Sequence, residues 1–420
     1  MSVKTLDARQ QLELLFDAGT FTEIDRLMQD GDKAVSVVSG YGYVNDMPVY
    51  AFAQDKSVSN GAVSKAHAAK IQSIYRLAEQ NGAPIIGVFD SDGIRLTESL
   101  QAMDAVADIL SAANNISGVV PQIAVITGSC VGSAALIASA ADVVIAVEDA
   151  DYYLNQGDDT ANVDVFAKTA EDALQKAREI VGYLPLNNLS AVPVLESADV
   201  VNTTSEFALD LLADTGSVVS LHRDTVASFA RINGVSCGIV TLQSNDKLSC
   251  CAVSRAARFV RLCDSFSLPV ITVVDAAGFS GLKCATKLCQ AYAEATTAKI
   301  TLITGKAYGP LYIAVAGKTA GADVVLAWED ASISALAPET AIHILWADRL
   351  AEMKDPKTDR AALAEEYRVT CCNAESAAKQ GAITDVITRE ESRAAVASFM
   401  EMLSGKRVTK LPKKHANIRL

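Results

Sequence analysis

The stretch at residues 123–150, IAVITGSCVGSAALIASAADVVIAVEDA, decides the fold, because its pattern predicts a strand, a glycine-containing turn, a buried helix and a second strand. The chain contains it again at residues 300–331, ITLITGKAYGPLYIAVAGKTAGADVVLAWEDA. The copies lie 177 residues apart at the first glycine (305 minus 128) and 181 apart at the Ala-Asp pair (322 minus 141). We therefore expect two repeated domains, with four residues gained in the second helix, unlike the short repeats of a solenoid.

The sequence before each copy is duplicated as well. Each copy follows a hairpin, a long helix and a buried strand that ends in aspartate. These are residues 40–53 and 229–240 for the hairpins, 62–80 and 251–266 for the helices, and 84–90 and 269–275 for the strands. Strands that alternate with helices predict a right-handed parallel α/β arrangement, with binding groups at the carboxyl ends of the strands.

A change in composition predicts the domain boundary. Residues 184–206 are rich in Asn, Ser, Thr and Pro, which favour turns and linkers. We therefore expect an N-terminal domain at residues 1–200 and a C-terminal domain at residues 201–420.

The composition excludes several classes of partner. The 420 residues carry 37 basic and 50 acidic side chains, a formal net charge of −13. Nucleic acids and anionic membranes both require a basic surface, so neither is expected as a partner. Residues 131–147 are apolar but contain Asp142 and fall short of about 20 residues, which predicts a buried helix and strand rather than a membrane span. The opening residues show no apolar signal region, and we expect a cytoplasmic protein.

The nine cysteines lack the CxxC spacing of zinc sites and occur singly or as neighbours, such as Cys250-Cys251. This pattern indicates a reducing compartment and predicts no structural zinc or other metal. Most of these cysteines are expected to be small core residues, and Cys130 is the alternative candidate for a nucleophile.

Each repeated turn opens a helix, and the first N–H groups of a helix have no partner within it. Together they carry a partial positive charge of roughly half an elementary unit. Such a helix start can stabilise an oxyanion, although an ordinary strand-to-helix turn in an α/β domain has the same sequence pattern. The duplication favours the functional interpretation.

Further segments resemble a known family over nearly the whole chain. They are residues 40–55 (GYGYVNDMPVYAFAQD), 66–71 (AHAAKI), 81–84 (NGAP), 182–188 (GYLPLNN), 255–266 (RAARFVRLCDSF), 291–296 (AYAEAT) and 412–418 (PKKHANI). The sequence resembles the biotin-dependent acyl-CoA carboxyltransferases, which include propionyl- and acetyl-CoA carboxylase β subunits and the carboxyltransferase subunits of sodium-pumping decarboxylases.

The resemblance implies two tandem crotonase-like (ClpP/crotonase) ββα-type domains, with acyl-CoA on the side of the first domain and biotin on the side of the second. It implies carboxyl transfer between biotin and the α-carbon of a short-chain acyl-CoA such as propionyl-CoA. Met353-Lys354 lies in a charged helical stretch and is no credible biotin attachment site, so biotin is expected on a separate carrier subunit. A biotin carboxylase or a membrane decarboxylase subunit is the further partner, and a homo-oligomer, a hexamer built as a trimer of dimers, is expected.

The resemblance also implies two oxyanion holes, one for an enolate and one for a biotin anion. The first corresponds to a turn whose donors would be Gly132 and Ser133, and the second to Gly309 and Leu311. Pro310 stands between the second pair and has no N–H, although proline suits the first helical turn. Loss of one oxyanion donor costs roughly 2.7 to 4 kcal/mol of transition-state stabilisation.

The resemblance also assigns nine positions to substrate binding, and some of them differ from the family pattern. They are Gly61, Asp92, Gly93, Arg95, Gly278, Phe279, Lys306, Pro310 and Ile313. Asp92 replaces a glycine of the family, and Ile313 replaces an aspartate that often lines the acyl pocket. After Phe279 the family carries a longer loop with a Gly-Gly and a His-Gly, which is missing here.

These departures leave three hypotheses open. The leading one is an active carboxyltransferase subunit. The second is a catalytically impaired homologue that binds CoA or other subunits as a scaffold, motivated by Pro310, Asp92 and the missing loop. The third is a crotonase-type hydratase or hydrolase, which would need carboxylates or a nucleophile at the first turn, where Asp92 is a candidate carboxylate.

Overall fold

The computed structural model describes residues 6–157, 162–196, 207–318, 320–352 and 358–417. The chain divides into two compact units, Met1–Pro193 and Val194–Leu420. The predicted boundary between residues 200 and 201 and the dipeptide Met353-Lys354 lie outside the described residues.

Unit 1 is an α/β unit with one mixed eight-stranded sheet and a separate two-stranded antiparallel sheet at residues 29–34. Its strands are β1 (Thr22–Glu23), β2 (Gln29–Asp30), β3 (Lys33–Ala34), β4 (Val37–Val44), β5 (Met47–Gln54), β6 (Ile85–Ser91), β7 (Gln122–Val131), β8 (Val143–Val147), β9 (Tyr152–Tyr153) and β10 (Val165–Ala167). Its helices are α1 (Ala8–Leu15), α2 (Lys65–Asn81), α3 (Leu100–Asn115), α4 (Ser133–Ser139) and α5 (Ala170–Val181). The sheet order is β1-β4-β5-β6-β7-β8-β10, and β9 pairs with β7. The strands from β5 to β10 pair in parallel, whereas β4 pairs antiparallel with both β1 and β5.

Unit 2 repeats this architecture and adds helices near its C-terminal end. Its strands are β11 (Val219–Leu221), β12 (Ala227–Ile232), β13 (Val235–Gln243), β14 (Lys247–Leu248), β15 (Val270–Ala276), β16 (Gly278–Phe279), β17 (Lys299–Tyr308), β18 (Val324–Trp328), β19 (Ser332–Ser334) and β20 (Asp385–Ile387). Its helices are α6 (Ala208–Leu212), α7 (Cys250–Ser265), α8 (Leu282–Glu294), α9 (Pro310–Val315), α10 (Pro338–Leu345), α11 (Ala347–Ala351), α12 (Thr358–Cys371), α13 (Ala374–Lys379) and α14 (Ser392–Leu403). The sheet order is β11-β12-β13-β15-β17-β18-β20, and β19 pairs with β17.

The two sheets have the same order and the same mixture of parallel and antiparallel pairs, so the predicted duplication is confirmed at the level of topology. The predicted hairpins are β4-β5 and β12-β13, and the long helices that follow are α2 and α7. The prediction of four extra residues in the second helix is wrong. Helix α4 has seven residues and α9 has six, whereas residues 316–323 separate α9 from β18 and only residues 140–142 separate α4 from β8.

The sheets are hydrophobic because parallel strands are covered on both faces. In β6 the residues Ile85, Ile86, Val88 and Phe89 are buried, and β17 is buried through its first six residues. The apolar residues 131–147 contribute to α4 and β8 as the sequence predicts. Within the described ranges, no helix combines the length and apolarity needed to cross a membrane.

A buried polar network lies beneath the hairpin of unit 1. His67 of α2 is fully buried, with its Nδ1 at 2.8 Å from Ser36 Oγ and its Nε2 at 3.4 Å from Gln54 Nε2. Ser36 donates its hydroxyl proton to the Ala62 carbonyl, and the Gln54 amide can only donate, so the network assigns the proton of His67 to Nδ1. Burial, helped by the charge of Arg95, lowers the pKa of His67 from 6.5 to about 3.

This network predicts a pH-dependent stability. Between pH 6.5 and about 3 the unfolded chain binds a proton at position 67 that the folded chain does not, so the folded state loses stability as pH falls. His67→Gln should remove up to about 1.4 kcal/mol per pH unit from the slope of the unfolding free energy in this window. Urea denaturation at pH 7, 6, 5 and 4 gives the unfolding free energy as a function of pH for the parent protein and for the variant. Equal slopes for the two would contradict the lowered pKa of His67.

Candidate active site

The repeated motif of unit 1 is held by Asp90, the penultimate residue of β6. Its Oδ1 accepts a hydrogen bond of 2.9 Å from the N–H of Ser129 on β7. The β6-β7 register shifts at this point, because Phe89 pairs with Ile126 and Ser91 with Cys130. Three residues of β7 therefore lie opposite one residue of β6, which forms an irregularity of the β-bulge type.

Unit 2 contains the same arrangement around Asp275. Its Oδ1 accepts a hydrogen bond of 2.8 Å from the N–H of Lys306, and the β15-β17 register shifts between Val274 and Ala276. The glycine before each donor allows the close approach. A Cβ on Gly128 would lie 2.4 Å from Asp90 Oδ1, and one on Gly305 would lie 2.3 Å from Asp275 Oδ1.

These contacts correct the position of the predicted turns. The sequence pattern placed a glycine-containing turn from Gly128 onward, but β7 continues to Val131 and β17 continues to Tyr308. The turn is confined to Gly132 and Gly309, which precede α4 and α9 with φ of 58° and 47°. These left-handed conformations explain why glycine recurs at both positions.

The structure also corrects which amides are available at the two turns. The N–H of Gly132 donates to the Tyr153 carbonyl at 3.0 Å, and that of Gly309 donates to the Ser334 carbonyl at 2.9 Å. Both bonds extend the pairing of the central strand with its short parallel neighbour, β9 or β19. Gly132 and Gly309 therefore shape the turns, and their N–H groups are already bonded within the fold.

The amides that remain belong to the next residues. In the part of the chain that the structure describes, no group accepts a hydrogen bond from the N–H of Ser133, Ala134, Leu311 or Tyr312. Pro310 is the first residue of α9 and has no N–H. The amides without an acceptor therefore belong to the second and third residues of α9, whereas in α4 they belong to the first and second residues. Each helix start thus has two adjacent amides without an acceptor among the described residues, and in each pair one residue is partly exposed (Ser133, Tyr312) and one is fully buried (Ala134, Leu311). Accessible amides of this kind could stabilise an oxyanion.

A cluster of charges lies beside the first turn. Lys56 Nζ lies 2.7 Å from Ser129 Oγ and 3.3 Å from one carboxylate oxygen each of Asp90 and Asp92. Burial alone would lower the pKa of Lys56, but the two carboxylates outweigh it and the pKa is raised. Lys56 therefore stays protonated at neutral pH and neutralises part of the charge that Asp92 brings to the site.

The other predicted residues of unit 1 belong to two paired loops. Gly61 is buried with φ of 66°, and a Cβ on it would lie 2.2 Å from the Asp90 carbonyl oxygen. The Gly93 carbonyl accepts from Val63, and the Arg95 N–H donates to the Val63 carbonyl. The Arg95 guanidinium bonds Asp30 and Glu98. The structure thus gathers Gly61, Asp92 and Gly93 beside Asp90, whereas the charge of Arg95 is already paired.

In unit 2 the predicted residues lie on three neighbouring elements. Gly278 and Phe279 form β16, which pairs with β14, and α9 lies against β16. Lys306 follows Gly305 on β17, and its side chain is exposed. Ile313 on α9 is also exposed, with 64% of its surface accessible. The apolar surface predicted at position 313 is therefore accessible to a ligand.

The alternative nucleophile has no favourable setting. Cys130 is fully buried on β7, and its burial raises the pKa of its thiol, with Asp90 adding to the effect. A thiol that stays protonated is a poor nucleophile. Asp92, the candidate carboxylate of a hydratase, is engaged by Lys56.

Comparison with known proteins identifies the fold and the family. The structure superposes on transcarboxylase 12S, solved as a hexamer with hydrolysed methylmalonyl-coenzyme A, with a TM-score of 0.90 and 28% identity, over 99% of this chain and 93% of that one. Residues 5–163 and 222–418 match the carboxyl transferase domain family. The chain belongs to this family. The predicted two-domain crotonase-like fold is thereby confirmed.

Two relatives illustrate the range of the family. This chain is 33% identical to the α subunit of methylmalonyl-CoA decarboxylase from Propionigenium modestum, over 99% of this chain and 93% of the relative. It is 32% identical to the β chain of propionyl-CoA carboxylase from Saccharopolyspora erythraea, over 98% and 90%. The first alignment spans 484 positions, so at least 64 of them (484 minus 420) have no counterpart in this chain.

Sequence reasoning missed three residues of the candidate site. Ala134 and Tyr312 were overlooked because backbone amides carry no signature in the side chain. Lys56 was overlooked because it lies 34 residues before Asp90 and only the fold brings the two together. The Asp-Gly pairs were visible as repeated residues, but their contact depends on the shift of register.

The close approach at the second bulge leads to a stability prediction. Gly305→Ala should lower the unfolding free energy by about 1–3 kcal/mol, because the new Cβ must displace the Asp275 carboxylate from its hydrogen bond to Lys306. Gly405→Ala is the matched control, since a Cβ there meets nothing within 4 Å, and its effect should stay within about 0.5 kcal/mol. Chemical denaturation measures both; equal effects would show that the bulge tolerates a side chain.

Proposed function

We propose that this chain is the subunit that moves a carboxyl group between biotin, held on a separate carrier subunit, and the α-carbon of a short-chain acyl-CoA. The observation that supports this proposal most directly is the pair of adjacent amides at the start of α4, and again at the start of α9, that have no acceptor among the residues the structure describes. Carboxyl transfer to or from an acyl thioester passes through an enolate, and such an anion requires donors that are already in place.

The first turn suits the acyl thioester. A thioester carbonyl oxygen at this turn would accept the N–H of Ser133, which is partly exposed, whereas Ala134 is fully buried and its N–H is reached only after a local movement. The Ser133 donor is fixed by the backbone and is in place before the charge forms. Lys56 balances the charge of Asp92 nearby, which reduces the repulsion that a lone carboxylate would exert on an enolate.

The second turn suits biotin. Bound biotin supplies a ring nitrogen that carries the carboxyl group and a ureido oxygen that accepts hydrogen bonds. The N–H groups of Leu311 and Tyr312 fit that oxygen as a pair of donors, because no described residue accepts from them. The positive φ of Gly309 directs its own N–H to Ser334; Tyr312 is partly exposed, whereas Leu311 is fully buried and its N–H is reached only when neighbouring residues move.

The partners follow from the relatives. One relative is a subunit of methylmalonyl-CoA decarboxylase and another a chain of propionyl-CoA carboxylase. We therefore propose a biotin carrier subunit as one partner and either a biotin carboxylase or a membrane decarboxylase subunit as the other. The hexamer formed by transcarboxylase 12S supports a homo-oligomer, which we propose to act in the cytoplasm.

A second candidate function is that of an impaired homologue, which binds CoA or its partner subunits without efficient turnover. Pro310 favours it, because this residue removes the first N–H of α9. The preceding amide, that of Gly309, cannot replace it, because its N–H is bonded to the Ser334 carbonyl.

Removal of one amide tests the first turn. Ser133 is the first residue of α4, the position at which Pro310 stands in α9, so Ser133→Pro removes the N–H where proline is tolerated. With free biotin and malonyl- or methylmalonyl-CoA, we expect decarboxylation by the purified protein and a loss of about 10²-fold in kcat for the variant.

Ser133→Ala is the matched control, because it keeps the N–H and removes only the hydroxyl, and its kcat should stay near that of the parent. Circular dichroism establishes that both variants are folded. If Ser133→Pro were as active as the parent, the amide would have no part in the reaction. If the parent decarboxylated no short acyl-CoA, the second candidate function would take its place.

Addition of one amide tests the second turn. Pro310→Gly and Pro310→Ala both restore an N–H at the first residue of α9, and only glycine also adds flexibility. We expect each variant to raise kcat with free biotin by at least about 10-fold, because a further donor would face the developing anion. A loss of activity in both would show that the pocket is built around proline, and a gain with glycine alone would point to flexibility.

A further inference from the structure

Unit 2 contains a pair of thiols that the proposed carboxyl transfer does not use. Cys250 is the first residue of α7, and Cys284 lies in the first turn of α8. A Cβ built on Gly281 would lie 2.9 Å from Cys250 Sγ and 3.6 Å from Cys284 Sγ. The two sulfur atoms are therefore no more than 6.5 Å apart, the sum of those two distances.

The two thiols differ in their surroundings. Cys250 is exposed, and the Ser280 hydroxyl donates to its sulfur at 3.8 Å. Cys284 is 2% exposed, and its thiol lies 3.0 Å from the Gly281 carbonyl oxygen. An external reagent can therefore reach Cys250 first, while Cys284 is positioned behind it.

The pKa shifts of the two thiols match this difference in exposure. Hydrogen bonds from Cys284 and then Ser280 lower the pKa of the Cys250 thiol, and the ammonium of Lys287 adds to the effect. Burial raises the pKa of Cys284, as does its contact with Cys250. An accessible thiol with a lowered pKa next to a second thiol is the usual arrangement of a residue that attacks and a residue that resolves.

We propose that Cys250 and Cys284 form a reversible intramolecular disulfide by exchange with a low-molecular-weight disulfide such as oxidised glutathione. The Cys250 thiolate attacks one glutathione sulfur, breaks the S–S bond and releases one glutathione thiolate. The Cys284 thiolate then attacks the Cys250 sulfur of the mixed disulfide and releases the second glutathione. Two protein thiols are oxidised and one glutathione disulfide is reduced to two thiols, so atoms and electrons balance.

The bond would act on the segment that carries Gly278 and Phe279. Cys250 follows β14 closely, and Cys284 follows β16 after four residues, while β14 and β16 pair in parallel. A disulfide would tie together the two helices that leave this strand pair. Formation of the bond does not depend on carboxyl transfer, so its test is separate from the tests of activity.

Peptide mapping tests the proposal directly. The full chain is incubated with oxidised glutathione, alkylated to block free thiols and digested with trypsin without reduction. Cleavage after Lys247, Arg255, Lys283 and Lys287 places Cys250 in the peptide of residues 248–255 and Cys284 in that of residues 284–287. We expect the two peptides joined, about 2 Da lighter than their sum, and separated again by dithiothreitol.

Serine variants assign the bond and supply the controls. Cys251 shares a peptide with Cys250 and is also exposed, so Cys251→Ser should keep the cross-link and Cys250→Ser should abolish it. Cys284→Ser should stop at a glutathione adduct on Cys250. A stable adduct on Cys250 of the parent protein, no modification of Cys250, or a cross-link that survives in Cys250→Ser would each overturn the proposal.

Discussion

A carboxylate at the end of a central strand, bonded to a backbone N–H of the next strand, is the contact on which each half of this protein depends. Asp90 and Asp275 make this contact at 2.9 and 2.8 Å. A hydrogen bond to an ionised acceptor is stronger than one between neutral groups. This hydrogen bond fixes the bulge, in which three residues of β7 or β17 lie opposite one residue of β6 or β15. The carboxylate fits there only because the residue before the donor is glycine.

The shifted register has a consequence at the end of the strand. After the bulge, β7 and β17 continue beside a different neighbour, β9 or β19, and the N–H of the turn glycine closes that pairing. The first amides of the helix that follows have no acceptor among the described residues, because the start of a helix leaves its first N–H groups without an intrahelical partner. The end of the strand therefore determines where these amides lie, and the glycine N–H is not one of them.

The sequence was sufficient for the architecture because repeated patterns of apolar residues and glycine determine strands, helices and their order. It failed where function depends on the backbone. The pattern placed the turn at Gly128, although a strand can pass through a glycine when a carboxylate lies beside it. It named Gly132 and Gly309 as donors, and only the structure shows that their N–H groups are bonded to Tyr153 and Ser334. Lys56 could not be predicted, since nothing local connects it to Asp92.

The two halves share a scaffold but differ in charge and in donors. In unit 1 the turn lies beside a lysine and two aspartates, and its helix starts with a residue that has an N–H. In unit 2 the helix starts with proline, and no salt bridge to Asp275 is found among the described residues. Different electrostatics on a shared topology fit the proposal that each half stabilises a different anion, because the donors and charges around an oxyanion hole must match the anion that forms there.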